Sequence, residues 1–553
     1  MASKEYDVLG DDETVTEGRS SFNSVEEIDV SGPRYKFTKW EFVVLISAIL
    51  ISNFSTAVDS SLSASAHIAI ASSFNRANLS TWPVNAFLIT SLTFQPLYAR
   101  ISDHIGRRIP YLLASGIFTA GLVLSATAWS WTGLIVARAL CGLGVAGVMT
   151  MGSVLLTDAV GLMKRGYYQS INYVVYGTGS AIGSGVGGAL VQNLGWTWVY
   201  KIQIPISIFA FVLLFISVPS PIHSDSHNPE VNGRSQALGV LRNFDWRGSI
   251  FLMLSLMSLF TFLTTSGNIY SWTHPIVLLA LAAFIVFSTF FILTERTAYK
   301  PILPLSLLFK NPTRNIIFTG FLFSMINYII MYNTTLFFQT VLLAPPSVAS
   351  THLITPSISF TLASALTGTL IARFRTPLPT LRLSQNLLFI GIFGLGLMSA
   401  LPLPFPWLYN AMLVLPAAGV GMMAPSVVLA LLNVVESEDH AVANGSLIMM
   451  RSLGVFVATA LSSSTLQNVF RREMRLYNYD AVTTGTIEEV RMNVELLLKL
   501  KEPLRGQLVT AYGHAFTAVF GICAVAATAI IVCLARVKIR GFEEKGENEK
   551  GAA

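Results

Sequence analysis

Tyr98-Ala-Arg-Ile-Ser-Asp103-His-Ile-Gly106-Arg107-Arg108 sets a tight charged turn between two apolar stretches. Each stretch is long enough to cross a bilayer, whose hydrocarbon core is about 30 Å thick. An Asp beside Gly-Arg-Arg at such a turn points to two helices held in a switchable arrangement. That arrangement suits a protein that moves solutes. Outward from the turn the apolar pattern repeats along most of the 553 residues, of which 53% are hydrophobic and 12% charged. A soluble domain carries about 25% charged residues. The net charge of +6 therefore belongs on loops flanking a membrane, not on a nucleic-acid surface.

Fourteen spans are predicted, over 41–62, 83–101, 110–129, 133–156, 168–191, 198–218, 248–266, 275–294, 315–337, 350–372, 385–402, 407–431, 443–465 and 513–535. They must be helical, because lipid holds no water to satisfy backbone groups and no strand alternation is present. The expected fold is an all-α membrane protein with two six-helix bundles and two inserted helices. Residues 39–218 form the first bundle, 248–294 the inserted pair, and 295–540 the second bundle. A polar linker, 219–247, separates the halves. Such a break suggests bundles that rock around a shared site. Residues 1–38 and 541–553 are polar tails, expected to be disordered; no signal peptide is expected at the N-terminus.

With both termini in the cytoplasm, the inner connections carry Arg100, Arg107, Arg108, Lys164, Arg165, Arg234, Arg242, Arg247, Arg373, Arg375 and Arg382. The short outer ones carry almost no basic residue, as the positive-inside rule requires. One exception is the outer connection 466–512, with Arg471, Arg472, Arg475 and Arg491. It is read as a small folded or amphipathic insert. Cys141, Cys523 and Cys533 lie in apolar stretches with no metal-ligand spacing, so neither a metal nor a cofactor is expected. His223, Asp225 and His227, like Glu436, Glu438, Asp439 and His440, read as hydrated turns, and no enzymatic chemistry is expected.

Ionisable residues inside spans carry the chemistry. Asp59 lies inside the first span and is the candidate proton-coupling residue; the alternative is a carboxylate at the outer mouth or one locked to a partner helix. Arg138 is an intramembrane cation with no acid in its own span, so it must face a polar interior, a carbonyl or a carboxylate. It serves either the proton path or a set of backbone carbonyls. Arg451 poses the same choice, with structure favoured. Lys201, early in the sixth span, either faces the cavity or snorkels to the interface. Snorkelling is the plainer reading; a cavity Lys would repel a cationic cargo. Asn85, Gln95, Gln203, Tyr332, Phe338 and Gln339 are cavity-lining candidates. Gly142, Gly144, Gly147 and Gly177 through Gly188 permit close helix packing. His67 and His514 read as packing residues. Asn78-Leu-Ser80 is a glycosylation sequon.

The opening turn resembles the signature between the second and third helices of the major facilitator superfamily, Gly-x-x-x-Asp-x-x-Gly-Arg-Lys/Arg. Asp103, Gly106, Arg107 and Arg108 match it; Ala99 replaces the first Gly. Val58-Asp59-Ser-Ser-Leu-Ser, Ala137-Arg138-Ala-Leu-Cys-Gly142-Leu-Gly144 and Gly179-Ser-Ala-Ile-Gly183-Ser184-Gly-Val-Gly187-Gly188 resemble motifs of its fourteen-span drug:proton antiporter branch. Ser184 stands where Pro is usual. Phe94-Gln95-Pro96-Leu97-Tyr98, Arg165-Gly166-Tyr-Tyr168-Gln169, Tyr176-Gly177-Thr-Gly179 and Ile202-Gln203-Ile204-Pro205 resemble fungal vacuolar basic amino-acid transporters in particular. Thr197 and Lys201 depart from them. The likeness runs over about 40–465 and the last span.

The resemblance implies solute/proton antiport by alternating access, with Asp59 and Arg138 on the proton path. It implies that Asp103, Gly106, Arg107, Arg108, Asp158 and Arg165 form a gating network, and that Gly179, Gly183, Gly187 and Gly188 form a packed antiporter helix. The implied cargo is basic amino acids carried into the vacuole. The alternative is efflux of drugs, toxins or a fungal secondary metabolite across the plasma membrane. A nutrient receptor on the same fold is a third reading. The expected partners are a small-molecule substrate, protons and lipid, with no nucleic acid, and the chain is expected to act as a monomer.

Overall fold

The computed structural model describes residues 38–160, 162–218, 245–267, 269–297, 310–374, 376–401, 405–435, 440–475 and 481–537. The tails and most of the linker lie outside the described residues. The first half comprises α1 (Lys39–Ser73), α2 (Trp82–Ile105), α3 (Arg108–Ala126), α4 (Trp131–Ala159), α5 (Leu162–Leu194), and the broken span α6 (Trp198–Lys201) and α7 (Gln203–Ser217). Then come α8 (Trp246–Thr265) and α9 (Pro275–Thr297). The second half comprises α10 (Thr313–Thr340), the broken span α11 (Pro346–Thr351) and α12 (Ile354–Phe374), α13 (Leu378–Ala400), α14 (Pro406–Val434), α15 (His440–Arg475), α16 (Ala481–Met492) and α17 (Leu504–Ala535).

With each broken span taken as one, fourteen long rods are described. Thirteen have the length and apolarity of a membrane span; α2 is the fourteenth rod and packs along α4. Local sequence sets their starts. Thr38 and Glu41 form a reciprocal capping box on α1. Ser130 caps α4 through the Gly133 N–H, and Asp245 caps α8 through the Gly248 N–H. Each cap satisfies a backbone donor that the helix leaves unpaired.

Several rods outrun their predicted ends. The first span, expected over 41–62, continues to Ser73. Its second half (Ser-Ala-Ser-Ala-His) is weakly apolar, yet α1 is buried on nearly every face from Ser52 onward. A helix surrounded by other helices needs no greasy surface; one facing lipid does. The contrast is direct in α9, where 11% of the apolar window is buried, against 72% in α10. Spans thirteen and fourteen likewise run to Arg475 and start at Leu504, so the outer insert is shorter than 466–512. It holds α16 and a 3-10 turn, Val494–Lys499.

Two bundles result. One continuous core joins α10 through α17, with Phe337, Leu388, Met423 and Phe516 fully buried in it. The first half builds two smaller cores around Tyr111 and Met151 and around Phe118 and Cys141. α8 and α9 pair with each other, and α8 rests on α2 and α15. The halves meet where α5 lies along α11 and α12, α2 along α15, and α1 against α10.

Candidate functional site

Asp59 and Arg138 meet at the centre of the first half. The Arg138 guanidinium donates to Asp59 Oδ1 at 2.8 Å and Oδ2 at 3.0 Å, and to Ser63 Oγ at 3.1 Å. Its plane lies 4.7 Å from the Phe87 ring centre and 5.6 Å from that of Tyr200. Asp59 is 0% exposed and Arg138 2%. The fork geometry suits a carboxylate bidentately, and aromatic faces replace water around the cation. Each charge is tolerable here only because of the other. Sequence separates them by 79 positions, so a carboxylate facing Arg138 was expected from burial alone, but which one was not readable along the chain.

Beside the pair the two halves close on each other, on the side away from the Gly106 turn. Thr459 Oγ1 donates to Asn85 Oδ1 at 2.8 Å, joining α15 to α2. Thr81 and Ser463 oxygens lie 3.5 Å apart, as do Ser180 and Ser357. Tyr328 of α10 meets Ser60 of α1 at 3.3 Å, and Tyr176 of α5 lies near both. His67 stands edge-on to Tyr332, with ring centres 5.1 Å apart. Its Nδ1 lies 2.9 Å from the Ala64 carbonyl oxygen.

These residues enclose a cavity of about 30 Å³, lined by His67, Ser80, Thr81, Tyr332, Thr459, Ser462 and Gln467 among others. That volume holds one or two waters and no amino acid. A second, smaller void joins His67 to Arg138 and Tyr200. Arg491 of α16 closes the first cavity from outside. It is buried and bonds Gln467 Oε1 at 3.2 and 3.0 Å and Glu488 at 2.7 Å. The structure is thus a closed form, with polar groups of both halves pressed together.

The glycines explain how the halves come so close. A Cβ on Gly179 would sit 3.0 Å from the Phe54 carbonyl oxygen, and one on Gly183 2.8 Å from that of Val58. Gly187 faces the Ser65 side chain. Gly188 turns to the other half, where a Cβ would lie 2.7 Å from the Pro346 carbonyl carbon. One face of α5 therefore seats α1 and another seats α11, backbone against backbone.

At the opening turn Gly106 has φ 86° and ψ 170°, a conformation that is nearly glycine-only. Arg107 Nε donates to Asp158 Oδ2 at 3.1 Å and Nη1 to Ser102 Oγ at 2.7 Å. Arg108 Nη2 donates to the Phe215 carbonyl at 2.9 Å. The side chains of Asp103 and Arg165 lie outside the described residues.

Other candidates fall elsewhere. Lys201 is exposed, with Nζ 5.4 Å from the Trp198 ring centre, and lines neither of the two cavities described above. Gln203 is buried and bonds the Val199 carbonyl at 2.8 Å within its own helix turn. Asn85 is part of the closure between halves. Gln95 and Gln339 are buried, with Gln95 Oε1 and Gln339 Nε2 unbonded. Phe338 stacks on His352 at 3.7 Å, a packing contact. Asn78 is half-buried in the 3-10 turn Ala77–Leu79. The sequence reading missed Ser60, Tyr176, Tyr328 and Thr459 as bridging residues, and placed His67 in packing alone. Polar residues repeating along buried faces were the available signal.

Comparison with known proteins follows the same lines. A family model described as Major Facilitator Superfamily matches residues 49–298. Vacuolar basic amino acid transporter 2 of Saccharomyces cerevisiae is 30% identical over 401 residues, covering 72% of this chain and 84% of that protein. Multidrug resistance protein fnx1 of Schizosaccharomyces pombe is 27% identical over 503 residues, covering 90% and 92%. Among solved structures, a bacterial homolog to human lysosomal transporter Spinster, in an inward-facing and unoccupied conformation, superposes with a TM-score of 0.61. It is 14% identical and covers 90% of this chain and 98% of that one, a likeness of fold. The chain belongs to the major facilitator superfamily and is a membrane transporter of that type.

Proposed function

We propose that this transporter is a proton-coupled antiporter that carries basic amino acids into the vacuole by alternating access. The observation that carries the reading is the dry Asp59–Arg138 pair, which adjoins the closed cavity between the halves through His67. In the closed form the pair is neutral as a unit. A proton arriving on Asp59 removes the counter-charge and leaves a buried, unpaired guanidinium, which is costly. The closed form is thereby disfavoured, and opening toward water lets Arg138 rehydrate. Release of the proton on the other side restores the pair and the closure. Proton movement and rocking of the halves are then one cycle.

The cargo assignment rests on the lining. Ser80, Thr81, Asn333, Thr459, Ser462 and Ser463 present hydroxyls and amides, which suit a polar solute better than a lipophilic drug. Lys201 lies outside the cavity, and the one arginine among its lining residues, Arg491, is held by Gln467 and Glu488. The sequence likeness to a vacuolar basic amino acid transporter points the same way. Efflux across the plasma membrane is the second reading, favoured by the likeness to multidrug resistance protein fnx1. In both, the termini face the cytoplasm, the chain acts as a monomer, and Arg107–Asp158, with Asp103 and Arg165, gates the inner side. A glycan on Asn78 belongs to the same proposal; a mobility shift on enzymatic deglycosylation, absent in Asn78→Gln, checks it.

Vacuolar vesicles from cells with and without the chain test the function. The expected result is chain-dependent arginine or lysine uptake that an uncoupler abolishes. Uptake that survives the uncoupler refutes proton coupling, and chain-dependent extrusion of lipophilic cations at the cell surface instead would establish the second reading.

A further inference from the structure

Three arginines on the second half and the first are shielded to different degrees among the described residues, and their donors are used differently. Arg138 spends its fork on Asp59 and Ser63, and Arg491 spends its own on Gln467 and Glu488. Arg451 of α15 has neither an oxygen partner nor a carboxylate among the described residues; its guanidinium rests 5.1 Å from the Phe323 ring centre. Its stem passes over Gly320, where a Cβ would lie 3.5 Å from Arg451 Cγ. Both contacts are on α10 and both are apolar. The guanidinium is half-buried, and its five N–H donors, with no protein acceptor among the described residues, stay open to water or to a ligand.

Its depth can be worked from helix rise. Arg451 is eleven residues into α15 and Phe323 ten into α10, roughly 15 Å from either helix start. Along α10 three layers then succeed one another toward the closed side. Phe323 carries Arg451. Tyr328, roughly 7 Å further, forms the hydroxyl bridge with Ser60, near Tyr176. Tyr332 lines the closed cavity.

We propose that Arg451, with the Tyr176 and Tyr328 hydroxyls above it, is the seat for the carboxylate of the cargo. An amino acid bound there would supply the missing acceptor in a fork geometry, while the tyrosine hydroxyls offer further hydrogen bonds at the layer that must open for passage. The site discriminates by charge type: a cargo with a carboxylate completes the Arg451 shell, and a bare cation does not. This assignment rests on the amino-acid reading above.

The test uses the full chain in liposomes. Uptake of labelled arginine is competed with unlabelled arginine or with agmatine, which keeps the guanidinium and lacks the carboxylate. In wild type, arginine is expected to compete at least about tenfold better, the equivalent of one charge-assisted hydrogen bond. Arg451→Gln should lower arginine affinity by a similar factor and bring the two competitors level, while Arg451→Lys recovers part of the preference. A folded Arg451→Gln that keeps wild-type preference overturns the proposal. If Arg451→Gln fails to fold, an Arg451→Lys chain with unaltered preference and affinity overturns it too. Equal competition by both compounds in wild type overturns the carboxylate seat while leaving amino-acid antiport standing. Wild type that carries lipophilic cations and no amino acid overturns both.

Discussion

Removing one partner of the Asp59–Arg138 pair and then both separates the energetic role of the pair from its role in transport. Both side chains are essentially shielded from solvent and share two bonds at 2.8 and 3.0 Å. Asp59→Asn leaves a guanidinium facing Phe87, Tyr200 and one serine; Arg138→Met leaves a carboxylate facing Ser63. Each single change should cost about 3–5 kcal/mol, the usual penalty for a stranded buried charge. The sequence alone suggests that Asp59→Asn spares folding; the fork contact predicts that it does not. The double variant removes both charges and should lose less than either single one, giving a strongly non-additive cycle. Unfolding by denaturant titration in mixed micelles reads the stabilities, and pH-driven flux reads the coupling. The double variant should be folded and unable to use a proton gradient. Additive losses would refute the paired-charge argument, and gradient-driven flux in the double variant would remove the pair from coupling.

Gly188→Val should prevent α5 from seating against Pro346 and cost about 1–3 kcal/mol or more from overpacking, seen as a lowered melting temperature. Gly396→Ala is its control: nothing lies within 4 Å of the added Cβ, and the helix interior should gain roughly 0.5–1 kcal/mol. Gly106→Ala forces a side chain into φ 86° and should cost about 1–3 kcal/mol, with slower flux than Gly396→Ala at matched expression. Lys201→Gln, exposed beside Trp198, should leave both cargo preference and uptake rate unchanged; a shift in preference would return Lys201 to the cavity.

Much of the fold was legible because bilayer thickness and backbone satisfaction restrict a spanning chain so severely. The fourteen rods followed from apolar runs alone. Their ends were not legible where helices face protein instead of lipid. The second half of α1 is serine-rich and buried, and α15 continues to Arg475 on the same principle. The Gly106 turn was readable because only glycine takes its conformation. The glycine faces of α5 followed from spacing, although which glycine meets which half depends on the rotation of the helix. Pairings across sequence were out of reach. Asp59 with Arg138, Asn85 with Thr459, and Ser60 with Tyr328 each depend on helices that touch only after folding. The choice for Lys201 stayed open in sequence because one turn of α6 decides whether it faces the cavity or the interface.

Flux through purified protein in liposomes under an imposed pH step tests the central claim most directly. With the acid phase on the side that stands for the vacuolar lumen, the account predicts concentrative arginine entry into that phase, matched by proton exit and collapsed by an uncoupler. Arginine that merely equilibrates, at a rate indifferent to the size and sign of the pH step, would contradict it.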